Sequence, residues 1–251
     1  MIGAKPLPEG EFLTGRTALV TGSAKRLGKH LALTLARLGA NVAVHYRTSE
    51  AEAQEVVEAI RYAGREAAAF QADLTDPTQC QKLVGQVVEH FGELNILVNN
   101  VGDYLEGNIL ELSIADWHYM INGNLNATFY MCHHALPVLR RADYARIVNI
   151  GFAGVGYADA NVESTAYQIA KTGILTLTRS LASALVESPL TVNMVSPGVL
   201  EESVTHPALK EVPKRRWGKP EEMAAAIAFF LAPQTDYITG QHIEVAGGWR
   251  L

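Results

Sequence analysis

Apolar residues along the chain fall into short unbroken runs, separated by longer stretches in which they recur every three or four positions. The first run, Thr17-Ala-Leu-Val20, is closed by Gly22 and has the length and punctuation of a buried strand. From about Leu27 to Leu38 the spacing is helical, and Gly39 stands where a helix ends. Asn41–Tyr46 reads as the next strand and Ser49–Ala63 as a helix stopped by Gly64. Ala67–Gln71 is a strand, and Asp76–Phe91 a helix entered through an N-cap aspartate followed by Pro77. The alternation continues with a strand at Ile96–Asn99, one long helix from Asp116 to about Leu139, and a strand at Arg146–Ile150. A second long helix, Ala166–Val186, precedes a strand at Thr191–Ser196. The last helix begins after Pro220, and Gln241–Val245 forms the final strand.

Regular alternation of this kind predicts an α/β fold: a parallel sheet of about seven strands with helices on both faces, doubly wound. The strands are apolar throughout, as burial on both faces requires. No repeat, linker or low-complexity break divides the chain. The expectation is an N-terminal arm over residues 1–15, carrying Pro6, Pro8, Gly10 and Gly15, and one domain over residues 16–251. With 251 residues, 48% of them hydrophobic, such a domain can build its core without disulfides or structural metal.

Charge and cysteines narrow the function classes. A formal net charge of −5, spread along the chain, argues against nucleic acid or an anionic membrane as partner. Cys80 and Cys132 are far apart and belong to no Cys/His cluster, so no metal site is expected. His133 and His134 are adjacent on a helix and point about 100° apart, too far to share an ion. The start of the chain lacks the apolar core of a signal peptide, and no apolar stretch reaches the roughly 18 residues of a membrane span. A cytoplasmic protein acting on a small molecule is expected.

In doubly wound sheets, ligands sit beyond the carboxyl ends of the strands. Here the first strand ends in Thr21-Gly-Ser-Ala-Lys-Arg-Leu-Gly28 and passes directly into a helix. Glycines there let the backbone approach a pyrophosphate, and the helix N-terminus offers free N–H groups. Gly22, Lys25, Arg26, Leu27 and Gly28 are therefore candidate cofactor contacts. The second strand ends in His45-Tyr46-Arg47-Thr48-Ser49, with no acid before Glu50. A carboxylate there would read the ribose 2′-hydroxyl of NAD; Arg47 instead suits the 2′-phosphate of NADP, with Thr48 and Ser49 as hydrogen-bond donors. NADP(H) is the expected cofactor. Further on, Tyr167 and Lys171 lie one helical turn apart on a single face. A nearby ammonium should lower the pKa of the phenol and make Tyr167 a proton donor.

Together these segments resemble the short-chain dehydrogenase/reductases, from about residue 16 to 250. Asp73-Leu74 resembles the family's adenine contact, and Asn99-Asn-Val101-Gly102 its Asn-Asn-Ala-Gly motif beside the cofactor. Asn124 matches the asparagine that kinks a helix and holds a water in the proton relay. Tyr167 and Lys171 match the catalytic pair, the lysine also binding the nicotinamide ribose. Pro197, Gly198 and Val199 fall at the turn beside the nicotinamide, and Tyr237-Ile-Thr-Gly240 with Gly247-Gly248 resembles the C-terminal signature. The resemblance implies a Rossmann-like domain and a homodimer or homotetramer. Val199–Lys214 is the expected substrate-covering segment, and Trp217 either lines a substrate loop or packs beneath the last helix.

The pattern breaks in one place. The family's serine, which hydrogen-bonds the substrate oxygen after the fifth strand, falls at Gly151, Phe152 or Gly154. None carries a hydroxyl. Ser164, Tyr157 and Asp159 are the nearby groups able to replace it. Arg26 within the phosphate turn, together with His45-Tyr46 and Ser49, resembles the pteridine reductases. In that subgroup an aromatic after the Asn-Asn motif, here Tyr104, stacks on the substrate, and Arg26 bridges phosphate and pterin. The subgroup carries aspartate where the family serine stands; this chain has neither. The expectation is an NADPH-dependent reductase with Tyr104, Arg26 and Phe152 at the substrate, acting on a flat heterocycle. A 3-oxoacyl-carrier-protein or other carbonyl reductase is the alternative, and a cofactor-binding sensor with reduced catalysis a second.

Overall fold

A computed structural model describes residues 10–157, 160–204 and 206–249. Seven strands form one parallel sheet in the order β3-β2-β1-β4-β5-β6-β7. They are β1 Thr17–Val20, β2 Asn41–Tyr46, β3 Ala67–Gln71, β4 Ile96–Asn99, β5 Ala145–Ile150, β6 Leu190–Pro197 and β7 His242–Val245. The chain winds outward from β1 to β3, then crosses back to place β4 against the other side of β1. That reversal opens a crevice beyond the carboxyl ends of β1 and β4.

Two helical layers cover the sheet. Helices α1 (Arg26–Arg37), α2 (Glu50–Tyr62) and α7 (Pro220–Leu231) bury Leu31, Leu35, Val56, Ile60, Ile227 and Phe230 against one face. Helices α3 (Pro77–Phe91), α5 (Ala127–Leu139) and α6 (Thr165–Ala184) bury Leu83, Val87, Met131, Leu139 and Ala182 against the other. Local chemistry sets the ends of α3: the Asp76 carboxylate accepts from Thr78 N at 2.8 Å, Pro77 occupies the first turn, and Gly92 closes it at φ 81°. Leu13, in the lead-in to β1, is fully buried in the first of these cores. Pro6 and Pro8 lie outside the described residues.

One element departs from the sequence pattern. The single helix expected over Asp116–Leu139 is two helices, α4 (Ile114–Ile121) and α5, joined by a π-turn at Asn122–Asn126. Ser113 caps α4 by accepting from Asp116 N at 3.0 Å. Asn124 explains the π-turn. Its side-chain amide donates to Met120 O at 2.9 Å, the carbonyl that its own backbone N–H would take in an α-helix. The same amide donates to Asp103 O at 2.9 Å, tying the turn to the segment after β4. Among the described residues no helix is long and apolar enough to cross a membrane.

Candidate active site

Two clefts lie along the carboxyl edge of the sheet. The first, of about 450 Å³, runs from the β1–α1 turn past the ends of β2 and β3 to the segment after β4. Its turn is shaped by close backbone approach. Gly22 takes φ +61°, and a Cβ on Gly28 would lie 2.1 Å from Gly22 O. Arg26 adopts φ 49°, a left-handed conformation that costs a residue with a side chain about 1–2 kcal/mol. Lys25 makes no side-chain cap to α1 and the first turn holds no acid, so the helix N-terminus faces the cleft uncapped.

His45 holds this turn in place. Its Nδ1 accepts from Gly22 N at 2.9 Å, so the ring proton sits on Nε2 and is donated to Ala72 O at 3.1 Å. Burial drives its pKa from 6.5 down to about 4. The unfolded chain therefore takes a proton that the fold refuses, and stability should fall as pH drops from 6.5 towards 4. At about 1.4 kcal/mol per unit, the loss reaches about 3 kcal/mol. Urea midpoints measured across that range should show it in the wild type and not in His45→Gln. An equal slope in both would remove His45 as its source.

Gly22, Lys25, Arg26, Leu27, Gly28, His45, Arg47, Asp73, Leu74, Val101 and Gly102 all line the first cleft. Tyr46, Thr48, Ser49 and Asn99, grouped with them by sequence, do not. Tyr46 turns into the apolar core, while Thr48 and Ser49 lead into α2. Lys25 is engaged by Glu52 at 2.6 Å, and Arg47 stands 3.9 Å from Asp103 Oδ2. Thr75 N–H, donating to Asp73, keeps that carboxyl below its ordinary range. The two asparagines after β4 divide their work. Asn99 is buried and donates to Asn149 Oδ1 at 2.8 Å, inside the sheet. Asn100, not singled out from the sequence, lines the cleft and donates to Thr21 O at 3.0 Å, tying β4 to the β1–α1 turn. The doubled asparagine was the available signal, and only strand length says which of the two clears the sheet. Asp103 was missed as well, since nothing but its carboxylate after Gly102 marks it.

The second cleft, of about 510 Å³, is lined by Tyr104, Phe152, Ser164, Tyr167, Pro197, Gly198, Val199 and His206, among others. The Tyr167 ring lies 5.1 Å from Tyr104, edge to face, and 5.4 Å from Phe152. Trp217 stays out of the cleft lining and packs on His206, with ring centroids 4.3 Å apart. Gly102, at the end of the first cleft, is flanked by catalytic candidates: a Cβ there would lie 2.6 Å from Asn124 Oδ1 and 2.7 Å from Lys171 Nζ. Asn124 Oδ1 is buried without a hydrogen-bond partner, an acceptor aimed at this junction. Lys171 Nζ donates to Ile150 O at 3.1 Å and lies 5.6 Å from the centre of the Tyr167 ring.

The electrostatics differ from the sequence expectation. Burial, reinforced by the Tyr104 phenol, raises the Tyr167 pKa above its ordinary value instead of lowering it. The lysine sits towards the ring, and burial brings its own pKa down to about 8, against an opposing pull from Asp103. Tyr167 thus stays protonated until a developing oxyanion draws the proton away. The serine gap also has a steric side. A Cβ at Gly151 would lie 2.2 Å from Ser196 Oγ and 2.4 Å from Met194 Cε, so a side chain there would have to displace both, and Phe152 turns its ring to Tyr167. Tyr157 is exposed outside the cleft, and Asp159 lies outside the described residues. No group of three or more potential metal ligands occurs among the described residues.

The turn fits a dinucleotide on its own geometry: a glycine cradle that a Cβ would fill, an uncapped helix N-terminus, and an orphaned acceptor beside Gly102 at the end of the first cleft. Comparison with known proteins agrees. Residues 22–250 match the family described as enoyl-(acyl carrier protein) reductase. The chain is 34% identical over 241 residues to the 3-oxoacyl-(acyl-carrier-protein) reductase of Staphylococcus aureus, covering 93% of this chain and 97% of that one. It is 32% identical to glucose 1-dehydrogenase 2 of Bacillus subtilis, covering 95% of this chain and 96% of that one. Among solved structures, a short-chain dehydrogenase from Burkholderia cenocepacia in complex with NADP superposes with a TM-score of 0.89 at 32% identity, covering 96% and 100% of the two chains. The chain belongs to the short-chain dehydrogenase/reductase family of oxidoreductases.

Proposed function

We propose that the protein is an NADPH-dependent carbonyl reductase whose substrate is a small 3-oxoacyl compound. The observation that carries this reading is that Asn124 Oδ1 and Lys171 Nζ crowd Gly102 at the end of the first cleft, while that lysine lies 5.6 Å from the ring of Tyr167 in the lining of the second. The reduced nicotinamide, when bound, supplies the hydride. The first cleft would hold it, with the β1–α1 turn on the pyrophosphate and Gly102 and Lys171 beside the ribose. Tyr167 gives the proton to the carbonyl oxygen as the C=O π bond becomes C–H and O–H. Lys171 steadies the resulting phenolate, and Asn124 Oδ1 holds the route by which a proton returns to the lysine. The choice of a 3-oxoacyl substrate rests on relatives such as the staphylococcal reductase, and it displaces the pteridine expectation from first place.

A flat heterocycle is the second reading. It is favoured by Tyr104 and Phe152, which set aromatic faces against Tyr167 in the second cleft. Oxidation of NADPH, followed by absorbance with an acetoacetyl thioester, a simple ketone and a dihydropterin, separates the two. Turnover of the thioester supports the proposal; turnover of the dihydropterin alone replaces it with the second reading. No turnover of any of the three removes both.

Preference for NADPH is assigned to Arg47, the cation at the end of β2 that lines the first cleft. A charge-assisted hydrogen bond to phosphate contributes about 1.5–3 kcal/mol, so Arg47→Ala should weaken NADPH binding by about 10- to 150-fold. NADH affinity should stay near wild type. Fluorescence titration with both cofactors reads the difference, and equal losses for both would place the 2′-phosphate elsewhere.

A further inference from the structure

We propose that Ser164 takes over the part of the absent serine, donating its hydroxyl proton in a hydrogen bond to the substrate's carbonyl oxygen beside Tyr167. This rests on the carbonyl-reductase reading above. Elimination along the β5 exit is the first support. The backbone N–H of Gly151 bonds Val195 O at 3.0 Å, that of Ala153 bonds Pro197 O at 2.8 Å, and that of Gly154 bonds Glu244 Oε1 at 3.0 Å. All three point into the protein's own bonding, and no side chain on this stretch supplies a hydroxyl to the cleft.

The second support is Ser164 itself. It precedes α6 as the N-cap residue, a position where a serine hydroxyl ordinarily accepts from the first turn, yet it makes no such bond. Its hydroxyl bonds no described residue, although the residue is only 8% exposed and lines the second cleft. Two other polar groups of the cleft are held by backbone: Ser203 Oγ accepts from Leu200 N at 2.9 Å, and His206 Nε2 faces the carbonyls of Leu200 and Glu201 at 3.1 Å. Spacing is the third support. Residues three apart at a helix start are neighbours on one face, with Cβ atoms about 5–6 Å apart. Ser164 and Tyr167 can therefore reach one oxygen from the same side. Two donors on that oxygen stabilise the negative charge that builds as hydride arrives at the carbon.

The test uses the NADPH-loaded full chain with an acetoacetyl thioester, and a non-reducible carboxamide of the same shape as a binding probe. Ser164→Ala should lower kcat by about 10²-fold. Carboxamide binding should weaken by about tenfold. The thermal midpoint should not move, because no cap is lost, and Ser164→Thr should keep most of the rate. Phe152→Ser, which restores a hydroxyl at the family's position, should recover activity in the Ser164→Ala background. If Ser164→Ala matches wild type in both rate and carboxamide binding while Tyr167→Phe is inert, the role of Ser164 is overturned and the carbonyl-reductase reading stands. If wild type turns over no carbonyl, that reading fails and carboxamide binding alone decides: weaker binding by Ser164→Ala upholds the donor. Equal binding, or none by wild type, overturns it.

Discussion

Tyr167→Phe is expected to lower kcat for carbonyl reduction by about 10²–10⁴-fold, with NADPH affinity and thermal midpoint close to wild type. The substitution removes one oxygen and leaves the ring, which keeps its contacts to Tyr104 at 5.1 Å and Phe152 at 5.4 Å. The loss should therefore appear in chemistry and not in folding. Burial raises the phenol's pKa, so Tyr167 enters the reaction fully protonated across the working range. It needs the neighbouring ammonium only once the proton has begun to leave. Lys171, brought down to about 8 by burial, should set the alkaline limit. Below that pH the ammonium is intact and kcat/KM should be flat. Above it the charge is lost and kcat/KM should fall. Lys171→Met should be slow at every pH and lack the descending limb. A Tyr167→Phe enzyme that retains more than a tenth of wild-type kcat would show that the proton comes from elsewhere.

The second large effect is expected from a single methyl group. In Gly28→Ala the new Cβ would sit 2.1 Å from Gly22 O and 2.7 Å from Asn100 Nδ2. The first of these neighbours is backbone, and the second is fixed by its bonds to Thr21 O and Gly22 O. Neither can step aside, so the turn must open. Overpacking of this kind costs about 1–3 kcal/mol of stability, and NADPH binding should fall by at least a hundredfold, about 2.7 kcal/mol or more. Gly85→Ala is the control. It lies inside α3 with nothing within 4 Å of its Cβ, and alanine there should stabilise the fold by about 0.5–1 kcal/mol. Denaturant midpoints together with cofactor titrations check both. A Gly28→Ala protein that binds NADPH normally would mean that the turn does not carry the pyrophosphate.

The architecture was legible in the sequence because most strands are apolar runs and helical spacing separates them. The π-turn at Asn122–Asn126 was not legible as a pattern, because it depends on Asn124 taking Met120 O with its side chain. Apolar periodicity records which face is buried, not which atom claims a carbonyl. At the site, glycine and charge placed the phosphate turn and Arg47 in the lining of one cleft. Direction at the end of β2 was misjudged: strand alternation carries Tyr46 into the core, while Arg47 stays at the cleft. The pKa of Tyr167 was misjudged in sign because spacing reveals a neighbouring cation and hides the depth of burial. Gly151 looked like a lost serine; its crowding by the Ser196 and Met194 side chains is a matter of packing that the sequence does not carry.

Thr21 Oγ1 accepts from Asn100 N at 2.9 Å and Val101 N at 3.0 Å, residues 79 and 80 positions further along the chain. The β1–α1 turn is thus finished by a segment synthesised long after the turn itself. During translation β1, β2 and β3 can pair as soon as they emerge, but no dinucleotide can be gripped until β4 has left the ribosome and slotted in on the far side of β1. Closing so long a loop is slow, and the half-formed sheet meanwhile exposes the edge of β1 to other chains. A dinucleotide that binds only the closed sheet would then also favour its folding, by mass action.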